Sequence, residues 1–131
     1  MVHRKRSNIV AIELDATAIG IDQTGDHVKH GGLAGPIWAE QADCLFFDGT
    51  FWSEDELREL GASEKRAGEM AHLPIGGDGG SLAALGGLRT PRRIYIHLNN
   101  TNPVLREVSP ERATVERAGW QIARDGMELT L

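Results

Sequence analysis

The 131-residue chain holds a single cysteine, Cys44, so no internal disulfide can form and the fold must rest on packing and hydrogen bonds. Cys44 lies in the apolar run Cys44-Leu45-Phe46-Phe47, where a buried, inert thiol is expected, and a reducing cytoplasm is the default compartment. Long hydrophobic runs are also missing. The stretch Ile9 to Leu14 is far short of the ~20 residues that cross a bilayer, so no membrane partner is expected. The basic cluster His3-Arg4-Lys5-Arg6 has no apolar segment of adequate length behind it and reads as a solvated tail, not a targeting signal. Nor is there a basic excess: 14 Lys and Arg against 19 Asp and Glu give a net charge of -5, which argues against nucleic acid as a partner. The glycine run at 76–80 lacks the Lys-Ser/Thr ending of a phosphate-binding loop, and Ser81 lacks a nucleophile-elbow context. No internal repeat or low-complexity tract is present.

What remains is one domain's worth of alternating helix and strand signals. Asn8 to Leu14 alternates loosely, as a strand does, and residues 16–36, rich in glycine, read as loop. Cys44 to Phe47 is a compact apolar strand closed by the turn Asp48-Gly49-Thr50. Ser53 and Glu56 have capping-box spacing ahead of a short helix from Glu54 to Leu60 that Gly61 ends, and Ser81 to Leu85 has helical composition. Arg93 to Leu98 is β-rich. Ser109 as N-cap, Pro110 at the first helical position, Glu111 in the first turn and Gly119 after the last turn delimit a further helix. Trp120 to Arg124 and Met127 to Leu131 read as two strands of a hairpin around Asp125-Gly126. The fold class is α/β.

Three residues carry chemistry at strand ends or turns: Asp48, His72 and His97. A titratable side chain at the C-terminal end of a strand points where α/β folds hold ligands, and His97 leads on that ground. Two imidazoles and a carboxylate are metal-ligand types; they suit zinc in hydrolysis and iron(II) in oxygen activation, and residue type does not choose between them. The alternative is that Asp48 only caps its turn and the two histidines are hydrogen-bonded structural residues. His27 and His30 have a His-x-x-His spacing that clips a metal only on a helix, which Gly31-Gly32 disfavours, so they read as loop residues.

The segments Phe46-Phe47-Asp48-Gly49-Thr50-Phe51-Trp52, Met70-Ala71-His72-Leu73-Pro74-Ile75 and Ile96-His97-Leu98-Asn99-Asn100-Thr101-Asn102-Pro103 are joined by Ser109-Pro110-Glu111-Arg112, Ala118-Gly119-Trp120 and Asp125-Gly126-Met127-Glu128. In this order they resemble the C-terminal part of the pyrroloquinoline quinone (PQQ) biosynthesis protein B family. The likeness covers residues 40–131 as a half-domain, while residues 1–39 match poorly. It implies half of a metallo-β-lactamase-like αββα sandwich. It also implies a divalent metal, iron(II) favoured and zinc possible, with His97, Asp48 and His72 as its ligands and Asp48 and His72 also in catalytic roles. The family's early Asp/His metal motif and its N-terminal cysteines have no counterpart here. The activity implied is oxygenation of a small, peptide-derived, tyrosine-containing precursor. A carrier role for the cofactor or its precursor is the alternative, and a non-catalytic fragment the third reading. A half sandwich further implies self-association or a complementary N-terminal chain.

Overall fold

The computed structural model describes residues 9–12 and 42–130. The expected loop at 16–36, His27, His30, the basic cluster and the 39/40 boundary lie outside the described residues. Four strands form one sheet in the order β1-β2-β3-β4: β1 (Ile9–Ile12), β2 (Cys44–Asp48), β3 (Arg92–Ile96) and β4 (Gln121–Ile122). Every neighbouring pair is parallel. Parallel neighbours need crossover connections, and here these carry the short helices. Between β2 and β3 run α1 (Glu56–Glu59), a 3-10 turn (Gly68–Met70) and α2 (Ser81–Ala84). Between β3 and β4 run a second 3-10 turn (Pro103–Leu105) and α3 (Pro110–Arg117). The α/β class is the one expected.

Strand alternation sorts the central residues onto two faces. Leu45 and Phe47 on β2, Tyr95 on β3 and Ile122 on β4 point into a core shared with Ile75, Leu85, Leu88, Val104, Val115 and Trp120. Aromatic geometry fixes its centre. Tyr95 stacks on Trp120 with centroids 4.3 Å apart, and Phe47 meets Tyr95 edge-on at 6.2 Å. The Tyr95 hydroxyl is satisfied by Ser81, 3.0 Å away and also buried, and burial raises the Tyr95 pKa well above the usual tyrosine value. On the opposite face, Cys44 and Ile94 are buried and Phe46 and Ile96 half-buried. Burial likewise raises the Cys44 thiol, which fits its expected inertness.

The last helix follows its sequence signals closely. The Ser109 hydroxyl accepts from the Arg112 N–H at 3.1 Å, Pro110 occupies the first turn, and Gly119 at φ 83° follows the C-cap. Three expectations are corrected. The helix expected from Glu54 runs only from Glu56, with Asp55 at its N-cap and no side-chain cap bond from Ser53. The β-strand expected to reach Leu98 ends at Ile96, because His97 turns into the left-handed region at φ 56°. The hairpin at Asp125-Gly126 does not form. Its turn exists, with Gly126 at φ 74° and the Met127 N–H on the Arg124 carbonyl, yet β4 pairs in parallel with β3 and residues 127–130 join no strand. The cause lies in the core. Trp120 stacking on Tyr95 and the Ala123 N–H donating to the Tyr95 carbonyl at 2.9 Å commit this segment to β3.

Candidate metal centre

Parallel strands in register deliver their C-terminal ends to one edge, and β2 and β3 do so with Asp48 opposite Ile96. His97 is the next residue. The two loops that leave this edge are laced together: the Gly49 N–H donates to the Ile96 carbonyl at 2.8 Å, and the Asn99 N–H to the Thr50 carbonyl at 3.0 Å. Glycine is required at 49 because a Cβ there would lie 2.9 Å from the Tyr95 Cβ and 3.2 Å from the Ile96 oxygen.

Asp48 is the hub. Its side chain is 7% exposed, with Oδ1 accepting from the Thr50 hydroxyl at 2.7 Å and Oδ2 lying 2.9 Å from Nδ1 of His72. Nδ1 of His97 lies 3.8 Å from Oδ1, and the His97 ring is half exposed. The structure therefore brings all three candidate residues to one place, although 24 residues separate Asp48 from His72. His72 arrives by a tight turn. Its N–H donates to the Ala67 carbonyl at 3.0 Å, the preceding Ala71 is left-handed at φ 62°, and the imidazole packs edge-on against buried Phe51 at 5.5 Å. Among the described residues, Ala71 and His97 are the non-glycine residues with positive φ. Such conformations cost on the order of 1–2 kcal/mol, and they fall here on or beside the two histidines.

The contact between carboxylate and imidazole engages Nδ1 of His72 and leaves Nε2 as the nitrogen that Asp48 does not hold, the arrangement by which carboxylates orient metal-binding histidines. The donor set of two imidazoles and a carboxylate suits a divalent cation. The fit is partial. Among the described residues, no group of three His, Cys, Asp or Glu side chains is arranged to hold a metal ion. Beside His97 opens a cleft of about 490 Å3, with Leu98, Leu105 and Ile122 as apolar walls and Arg112 and Arg124 among its charged ones.

Sequence reasoning did not find the supporting residues. Asn102, buried, donates from Nδ2 to the Gly49 carbonyl at 2.9 Å and the Thr50 carbonyl at 3.3 Å, while its Oδ1 accepts from the Val104 N–H. Glu56, read only as a capping-box residue, is buried at 5% exposure and joins both loops. The one local signal was Asn102 directly before Pro103, an N-cap followed by the favoured first helical residue.

No family model matches the chain. Coenzyme PQQ synthesis protein B of Nitrosococcus oceani is 49% identical over 114 residues, 87% of this chain and 35% of that protein. The Methylococcus capsulatus protein of the same name is 52% identical over 92 residues, 70% of this chain and 30% of that one. Among solved structures, Zn2+-bound PqqB from Methylobacterium extorquens superposes with a TM-score of 0.67 at 46% identity, covering 69% of this chain and 32% of that one. The chain thus spans about a third of the length of the relatives it matches.

Proposed function

Because this chain belongs to the coenzyme PQQ synthesis protein B family, matching its C-terminal region, we propose that its Asp48–His72–His97 cluster is part of a divalent-metal site serving pyrroloquinoline quinone biosynthesis. The observation that carries the reading is the Asp48 carboxylate set between two imidazole nitrogens, 2.9 Å and 3.8 Å away, at the sheet edge. Zinc in the Methylobacterium extorquens relative supports a divalent ion, with iron(II) and zinc as the two candidates. Iron(II), when bound, would supply oxygen activation, and the reaction we favour is hydroxylation of the tyrosine ring of a small peptide-derived precursor, one oxygen atom entering the ring and the other leaving as water at the expense of two electrons from an external reductant. The chain's own groups have distinct parts. His97, half exposed beside the cleft, is the ligand facing substrate; Asp48, buried, holds the Nδ1 edge of His72; and His72 is a ligand or moves a proton at Nε2. The work is expected in the cytoplasm.

The test is oxygen uptake by the full chain reconstituted anaerobically with Fe2+ and offered a tyrosine-containing peptide together with ascorbate as the two-electron donor. Uptake and ring hydroxylation that disappear in His97→Ala support the oxygenase. Absence of both at measured iron occupancy sinks it.

A carrier role is the second reading, favoured by the cleft of about 490 Å3 beside His97, and saturable binding of PQQ without turnover is its signature. The absence of a three-ligand group among the described residues favours a third, in which a complementary N-terminal chain or a second copy completes the site. Sedimentation of the purified chain separates these, since a monodisperse monomer that binds metal stoichiometrically excludes the need for a complement.

A further inference from the structure

Glu56 opens α1 at the surface end of its loop, yet its side chain turns away from solvent and into the gap between the two loops. Oε2 accepts from the Trp52 N–H at 2.6 Å, and Oε1 accepts from the Thr101 hydroxyl at 2.5 Å. The Thr101 oxygen in turn accepts from the Asn99 side-chain amide at 2.6 Å. Trp52 lies four residues after Asp48, and Thr101 four residues after His97. One carboxylate therefore grips both loops at equal chain distance from the two site residues that begin them. At 5% exposure the charge is costly to bury without such partners, and a carboxylate makes shorter, stronger bonds to both donors than an amide would.

We infer that Glu56 is a positioning residue that holds the Asp48 loop and the His97 loop at the separation a shared cation requires. The inference rests on the metal reading of Asp48 and His97. Gly49, Thr50 and Asn102 already lace the two loops near the strand ends, and Glu56 closes the far side of the same frame. With both ends held, the frame sets how closely the His97 backbone approaches the Asp48 loop, where Nδ1 of His97 lies 3.8 Å from Oδ1 of Asp48. Loss of the Glu56 grip leaves the His97 loop held to the Asp48 loop only through the Asn99 and Asn102 bonds to Gly49 and Thr50.

The experiment titrates the full chain with Co2+, reading affinity and the d–d absorption spectrum, which reports ligand number and geometry. Glu56→Ala is expected to weaken Co2+ binding about 10-fold or more and to alter the band shape, as loss of groups that orient ligands does elsewhere. Thr101→Val, which removes one grip, should weaken it severalfold. Glu56→Gln should recover most of the affinity, because its amide oxygen can accept from Trp52 and its amide nitrogen can donate to Thr101. Leu88→Ala, a core truncation outside this frame, supplies a stability loss that leaves the spectrum unchanged. If His97→Ala abolishes the signal while Glu56→Ala and Thr101→Val leave it intact, the positioning role is overturned and the metal site stands. If no His97-dependent signal exists up to millimolar Co2+, the metal reading itself falls and the inference with it. Should Glu56→Ala fail to fold, Thr101→Val decides: unchanged affinity and spectrum overturn the inference.

Discussion

Oδ2 of Asp48 lies 2.9 Å from Nδ1 of His72, a contact between the end of a central strand and a turn 24 residues on. It gives the buried carboxylate a second partner beside Thr50 and commits one edge of the imidazole, so the two residues act as a unit.

Asp48→Asn keeps the shape of that unit and removes its charge. An asparagine amide can accept from Thr50 and serve His72 only by donating to Nδ1, which moves the imidazole proton to Nε2 and blocks the nitrogen a metal would take. Zn2+ affinity of the full chain, measured by isothermal titration, is expected to fall about 10- to 100-fold, the range found when a histidine loses the group that orients it. Unchanged affinity would place Asp48 outside any metal site.

Metal retention by the chain alone is a separate matter. Among the described residues at most three candidate ligands are at hand, and each missing ligand removes bond energy and geometric definition. Iron reconstituted into metal-free protein should be retained below one equivalent after dialysis. Full occupancy lost in His97→Ala would keep the assignment of His97 and refute the weakness.

Much of this site was legible in the sequence because each residue is announced locally. Asp48 and His97 close apolar runs, His72 sits before Leu73-Pro74, and Ser109, Pro110 and Gly119 bound their helix. The frame around them was not legible. Glu56 meets Thr101 across 45 residues and Asn102 meets Gly49 across 53, and no local spacing encodes such a contact. The expected hairpin failed for the same reason. Asp125-Gly126 does make a turn, but Trp120 and Ile122 are drawn to β3 by core packing, which overrides the turn's local preference for an antiparallel ladder.

Asn102→Ala should be among the more damaging polar truncations. It leaves the Gly49 carbonyl and the Val104 N–H without their side-chain partner in a buried setting, at a cost of about 1–3 kcal/mol. Urea unfolding of wild type and variant gives the difference, and a loss under about half a kilocalorie per mole would mean that water replaces the amide.

Gly49→Ala tests the close approach of the two loops. The added Cβ meets the Tyr95 Cβ at 2.9 Å, a main-chain-bound atom on a central strand that cannot rotate away. Overpacking of this kind costs about 1–3 kcal/mol. The midpoint of thermal unfolding should drop, and Co2+ spectra should change with it because Asp48 is the adjacent residue.

Tyr95 sets the alkaline limit of the fold. Burial is the main cause of its raised pKa, and the Ser81 hydroxyl only partly offsets it. The folded state holds the phenol neutral, whereas the unfolded chain releases the proton near its ordinary value of 10.0. The contribution is therefore fully present below that value and is lost as pH rises from there towards the folded pKa. Tyr95→Phe removes the titrating group while keeping the ring stacked on Trp120. It should be slightly less stable near neutrality, by about 1 kcal/mol for the lost Ser81 bond, and should lose the extra decline above pH 10. Urea midpoints for both proteins between about pH 8 and 11 provide the measurement. Parallel declines would show that Tyr95 ionises as freely in the fold as in the unfolded chain, and its place at the centre of a closed core would have to be given up.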